Sequence, residues 1–328
     1  MIFRFIKSRQ GLAFCLLVPA LLLYGQVFAL DKKASSALSH YIMAGFYDDL
    51  GDIDKAIREY QKALNADSHN SLIHLKLAAS YIKKNNLDKA STELNLAIKF
   101  DPDAVEPHAI LALLYSTQNK FELATLEYEA ALKNASKLAP NNIEIYRTLG
   151  AIYLQQKKIK EAESTYRLIL NLSPSDPQAH FYLANIYDQL KDKHKAEEHL
   201  KKALELKPDY HQALNYLGYL YVEEDKDLGA AEMMIRKALE IEPDNGAYVD
   251  SLGWFYFKKG KLEEALRELE KASSLLEDPV IYEHLGEAYF KLGDNKNAVA
   301  NWQKSLKLNP DQDQLKKKIG ALNQESKK

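Results

Sequence analysis

The sequence predicts an all-α fold, a solenoid of about eight helical hairpins in which one unit repeats along most of the chain. Three observations predict it. Setting Leu252-Gly253 on Leu285-Gly286 brings Tyr256 onto Tyr289, Gly260 onto Gly293, Ala265 onto Ala298 and Leu269 onto Trp302, an offset of 33 residues. Self-similarity at that period marks a stacked helical-repeat protein. The same pattern can be laid down eight times, and its breaks carry the residues that stop helices.

Composition agrees and excludes several alternatives. The 328 residues are 46% hydrophobic and 27% charged with a net charge of −2, too apolar for a disordered chain. No basic block stands out, so charge gives no reason to expect nucleic acid. The lone cysteine, Cys15, rules out an intrachain disulfide.

Taken in order, the chain opens with a leader. Arg4, Lys7 and Arg9 precede an apolar run from Gly11 to Leu23, and Val27-Phe28-Ala29 follows. That is the layout of a secretory signal peptide cut after Ala29 (residues 1–29). The alternative is an uncleaved anchor, because Gly11 to Leu30 is about long enough to span a bilayer. Either way the body is expected outside the cytoplasm: periplasmic, or anchored in the inner membrane with a periplasmic body.

The repeats follow. The reference small residue of each first helix is Ala44, Ala78, Ala112, Gly150, Ala184, Gly218, Gly253 and Gly286. Leucine precedes it in every copy but the first, which has Met43, and three residues after it stands Tyr47, Tyr81, Tyr115, Tyr153, Tyr187, Tyr221, Tyr256 or Tyr289. Spacing of i, i+1 and i+4 puts these three on one helical face, where the small residue lets two helices approach. A second small residue marks each second helix, from Ala56 through Ala90, Ala124, Ala162, Ala196, Ala231 and Ala265 to Ala298. Gly51, Gly260 and Gly293, with Asn85 and Asn119, stand where a left-handed residue ends a first helix. Pro102, Pro174, Pro208, Pro243 and Pro310 stop the second helices. The third copy is four residues longer, so its second helix gains about one turn without losing phase. The sixth has one extra residue near Glu224–Gly229, which a loop must absorb. Seven residues after the second small residue most copies hold alanine, but the fourth has Ile169 and the eighth Ser305. Those junctions are expected to pack less tightly.

This pattern resembles the tetratricopeptide repeat over about residues 37–312. The resemblance implies a right-handed α-α superhelical solenoid of units 37–70, 71–104, 105–142, 143–176, 177–210, 211–245, 246–278 and 279–312, with 313–328 as capping helix and tail. It also implies that first helices line a concave groove for peptides or partner proteins, through positions three before, one after and four after the reference residue. In the first half these slots are mostly small or aliphatic, as in Leu75, Ala79 and Ile82, with Tyr41, Asp48 and Arg147 as exceptions. In the second they are Phe181, Asn185 and Asp188; Asn215 and Tyr219; Asp250, Trp254 and Phe257; and Glu283, Glu287 and Phe290. Rings among carboxylates suit an apolar partner carrying lysine or arginine. The plainer reading is that the rings pack against the next repeat.

No catalytic constellation stands out. HExxH, GxSxG, Walker A and Rossmann patterns are absent. His194 and His199, five residues apart, do not share a helical face. His74, His108 and His180 recur at one repeat position, which favours packing over metal binding. The expectation is a non-enzymatic scaffold without metal or cofactor, serving envelope assembly or secretion. The alternative is a membrane-tethered subunit of a pilus or polysaccharide secretion complex.

Overall fold

The structure, a computed structural model, describes residues 32–325, and the leader with its expected cleavage site lies outside the described residues. Seventeen helices and no strand occur among the described residues. The chain divides into two compact units, Met1–Ile152 and Tyr153–Lys328. The hairpins of the first are α1 (32–49) with α2 (Ile53–Ala66), α3 (Ser71–Lys83) with α4 (Leu87–Phe100), and α5 (Val105–Thr117) with α6 (Phe121–Leu138); α7 (Ile143–Gln155) holds the division. The second unit continues with α8 (Ile159–Leu172), α9 (Pro177–Gln189), α10 (Lys193–Leu206), α11 (His211–Glu223) and α12 (Leu228–Ile241). It ends with α13 (Gly246–Lys258), α14 (Leu262–Leu275), α15 (Pro279–Lys291), α16 (Asn295–Leu308) and α17 (Asp313–Glu325).

Local chemistry explains the boundaries. Asp52, Asn70, Asn86, Asp176, Asp192, Asp227, Asn245, Asp278 and Asp294 each cap a helix start, their side chains accepting from backbone N–H groups. Gly51, Asn85, Asn119, Gly260 and Gly293 take φ of +76°, +54°, +57°, +72° and +84°. Lys157, Lys191 and Asp225 occupy the same place in other copies with positive φ. The turn geometry is thus constant while its residue is not. The third copy's α6 has 18 residues where α2, α4 and α8 have 14. The extra residue of the sixth copy falls between α11 and α12, where Asp225 and Asp227 both have positive φ.

Within each unit a first helix packs on its own second helix, and that second helix on the next first one. The small residues are where backbones approach. A Cβ added to Gly218, Gly253 or Gly286 would lie 2.8 Å from Ile235, 2.7 Å from Leu269 or 2.3 Å from Trp302. The second small residues are buried from Ala56 to Ala298. One expectation is corrected here: Ile169 and Ser305 are both fully buried, so their junctions are not loose. Ile169 fills the alanine slot with apolar volume. Ser305 meets its polar need by donating to the Pro279 carbonyl at 2.7 Å. At the C-terminal end α17 buries Leu315, Ile319 and Leu322 against Trp302 and closes the stack.

Candidate functional site: a cleft in the second unit

First helices alternate in space with second helices, so α11 packs on α13 and α13 on α15. Between them opens a cleft of about 400 Å³. Phe181, Gln212, Asn215, Tyr216, Tyr219, Ala247, Tyr248, Asp250 and Ser251 line it, and Leu276, Asp278, Val280 and Ile281 close the far side. No lysine or arginine is among them. Two other clefts, at the start of α1 and beside α10, are edged by lysines instead.

Through Asp250 the cleft's lining joins an aromatic and ionic stack. Asp250 and His284 are both buried, and the His284 Nδ1–H donates to both Asp250 oxygens at 3.0 Å. The Trp254 ring lies flat on His284 with centroids 4.0 Å apart, and Phe257 covers its other face at 4.6 Å. The Trp254 Nε1–H donates to Glu223. Burial works against a charged His284 ring, but the Asp250 carboxylate and its hydrogen bond outweigh it, with Glu223 and Glu283 adding. The ring therefore titrates above its ordinary value. Tyr219 is held well above the usual phenol range, first by burial and then by Glu223, Asp250, Glu283 and Asp188. Four carboxylates thus act on one hydroxyl. Asn215 Oδ1 is buried and has no hydrogen-bond partner within the protein, a state that polar atoms seldom keep.

The structure distributes the expected groove residues unevenly. Phe181, Asn215, Tyr219 and Asp250 line the cleft. Asp250 is not a free carboxylate for a partner's cation, because His284 already holds it; this corrects the expectation drawn from its slot. Trp254 and Phe257 are stacked, and Trp254 packs against the next hairpin's first helix as the plainer reading has it. Asn185 accepts from Gln189 at 2.7 Å, Asp188 from the Tyr216 hydroxyl at 2.9 Å, and Glu287 from Lys318 at 2.6 Å. Glu283 reaches the site through its charge on Tyr219 and His284. Phe290 is exposed beside Trp302. Tyr216 and His284 were missed, and both stand two residues before the reference glycine, a slot the groove pattern leaves out. A comparison of that slot across the copies would have flagged them.

The recurring histidines make pairs inside hairpins. His40, His74 and His108 lie 2.6, 2.6 and 2.7 Å from Glu59, Glu93 and Glu127. In the fifth copy His199 replaces the glutamate, and the two Nδ1 atoms of His180 and His199 are 2.9 Å apart. Among the described residues no group of three or more His, Cys, Asp or Glu side chains could hold a metal ion.

Comparison with known proteins agrees with the fold. The family model of the C-terminal tetratricopeptide domain of cilia- and flagella-associated protein 70 matches residues 24–252, more than half of the chain. A second, described as a tetratricopeptide repeat, matches 227–316. The chain belongs to this family of tetratricopeptide-repeat proteins. Tetratricopeptide-repeat proteins are in general non-catalytic protein–protein interaction scaffolds. A tetratricopeptide repeat protein from Parabacteroides merdae is similar at 18% identity with a TM-score of 0.57, covering 76% of this chain and 97% of its own. A chain of the APC/C hetero-tetramer Cut9–Hcn1 is similar at 15% identity and a TM-score of 0.55, covering 89% of this chain and 70% of its own. At these identities the likeness concerns the fold. No curated protein matches the chain.

Proposed function

We propose that the second unit's cleft docks a segment of a partner protein, one that carries apolar side chains with a lysine or arginine among them. The observation that carries this is the cleft's lining: tyrosine and phenylalanine walls, no cationic side chain, and four carboxylates acting on Tyr219. Aromatic walls supply contact area at small entropic cost, and Asp188, Glu223 and Glu283 favour a cation and speed its approach, Asp250 being taken by His284. Asn215 lines the same cleft and adds an amide to its wall. The reading extends to place and pathway. The basic and apolar leader ending in Val27-Phe28-Ala29 supports export, and with it a scaffolding role in envelope assembly or secretion. With the leader retained, the same cleft would belong to a membrane-tethered accessory subunit, and N-terminal sequencing of the protein recovered from cells separates the two.

The test is selection of random twelve-residue peptides on the intact chain, repeated on Tyr219→Ala and Asn215→Ala. Recovered sequences should combine Leu, Ile or Phe with Lys or Arg, and both variants should bind them at least tenfold more weakly. Enrichment of acidic peptides, or binding indifferent to both substitutions, would overturn the reading.

A further inference from the structure

The first hairpin presents a stacking face that nothing in the described chain covers. In later copies, the residue two before the reference small residue touches the preceding hairpin. Tyr182 stacks on Tyr166 at 4.8 Å, Tyr216 donates to Asp188, and His284 donates to Asp250. Two residues after the reference, Ser80, Ile186, Leu220, Phe255 and Ala288 are all buried. The matching residues of α1 are Ile42 and Phe46, 59% and 54% exposed. Leu38 and Leu50, 58% and 65% exposed, extend them into a ridge at four-residue spacing. The other end of the repeat array differs. There α17 buries its apolar side on Trp302 and turns Lys316 and Lys317 outward, as a terminal cap does.

We propose that this ridge pairs with its counterpart on a second copy of the chain, the two α1 helices running antiparallel about a two-fold axis. Charge selects both the occupant and the direction. Lys32 and Asp49 are exposed at opposite ends of α1. Antiparallel pairing sets Lys32 against the partner's Asp49 twice, whereas parallel pairing sets like on like. In that register Phe46 covers the small, exposed Ala34 and Ser35 of the second copy, and Leu38 lies against Ile42 and Met43. The cap at α17 offers no matching apolar face, so the contact is isologous and closes at two copies. A helix of 18 residues is about 27 Å long, so the contact is small and the dimer reversible. The inference stands apart from the cleft and survives its failure.

Sedimentation equilibrium of the purified intact chain over a wide concentration range tests it. The mass should move from one chain towards two as concentration rises. Phe46→Glu should weaken association at least tenfold while leaving helicity, and the unfolding midpoint at concentrations where both proteins are single chains, unchanged, since the ring is exposed. Lys32→Asp and Asp49→Lys should each weaken it, and the two together should restore it. A single-chain mass at every concentration overturns the proposal, as does association indifferent to Phe46→Glu. Ser35→Cys combined with Phe46→Cys should cross-link two chains. If Phe46→Cys instead forms a disulfide with Cys15 of its own chain, the leader covers the ridge and the dimer is refuted. If Phe46→Glu releases the chain from phosphatidylglycerol vesicles with no change in mass, a membrane covers it, with the same consequence.

Discussion

The two units use one hairpin but place their buried polarity differently. In the first, buried or half-buried histidines bond glutamates on their own second helix, as His74 does with Glu93 and His108 with Glu127. Between its hairpins, apolar packing is joined by a hydrogen bond from Gln61 to the Tyr81 hydroxyl and by exposed lysines such as Lys83 and Lys84 reaching back to Asp48 and Asp54. In the second unit the most buried ion pair, His284 with Asp250, joins two hairpins, and Tyr216 with Asp188 does likewise. The reference slot also changes along the chain, from Ala44, Ala78 and Ala112 through Gly150 and Ala184 to Gly218, Gly253 and Gly286, where Ile235, Leu269 and Trp302 pack directly on the glycines. One repeat can therefore stabilise itself hairpin by hairpin or bind its neighbours more strongly. The second choice holds the walls of a cleft at fixed spacing.

The largest effect should follow from cutting the buried pair. Asp250→Ala leaves His284 without its counter-charge and should cost about 3–5 kcal/mol. Glu93→Ala removes a partly exposed partner in the first unit and should cost under about 1 kcal/mol. Urea unfolding of both variants measures this, and equal losses would break the comparison. The pair also gives a pH signature. Because the folded His284 ring titrates above its ordinary value, its contribution is complete below about pH 6.5. That contribution fades as pH rises through the higher folded value. Asp250→Asn should flatten this slope. His180 and His199 are held low, first by burial, so their effect has the opposite sign. They weaken the fold as pH falls below the ordinary imidazole range.

A smaller effect sharpens the contrast at the reference slot. Gly286→Ala places a methyl 2.3 Å from the Trp302 ring and should cost about 1–3 kcal/mol. Ala78→Gly in the first unit removes no contact of that kind and should cost roughly 0.5–1 kcal/mol through the backbone. Circular-dichroism melts of both compare them directly, and a larger loss at Ala78 would contradict the account. Of similar size to the Ala78 change, Tyr221→Phe removes the hydroxyl that donates to Glu197 of the preceding hairpin at 2.9 Å. About 1 kcal/mol should go with it, and an unchanged urea midpoint would assign that tyrosine to packing alone.

Much of the fold was legible because period and small residues are properties of a single helix face. The eight tyrosines were readable as fillers of the gap beside the small residue. Their hydroxyl partners were not, because Gln61, Glu163, Glu197, Arg236 and Glu270 lie 19 to 24 residues earlier, on another helix. Trp254 illustrates the same limit at the site. Its slot marks it as facing the groove, but spacing along α13 says nothing of His284, thirty residues on, which covers it. Asp250 was read as an open charge for the same reason. Burial of a carboxylate depends on a neighbour that helical periodicity cannot name.

The central claim is that the second unit's cleft, and not the first unit, receives the partner. Hydrogen exchange on the intact chain, with and without a peptide from the selection, tests it most directly. The account predicts slowed exchange within 211–223, 246–258 and 279–291, and unchanged exchange within 71–83 and 105–117. Protection centred on the first unit's helices, or none at the cleft with the peptide bound, would contradict it.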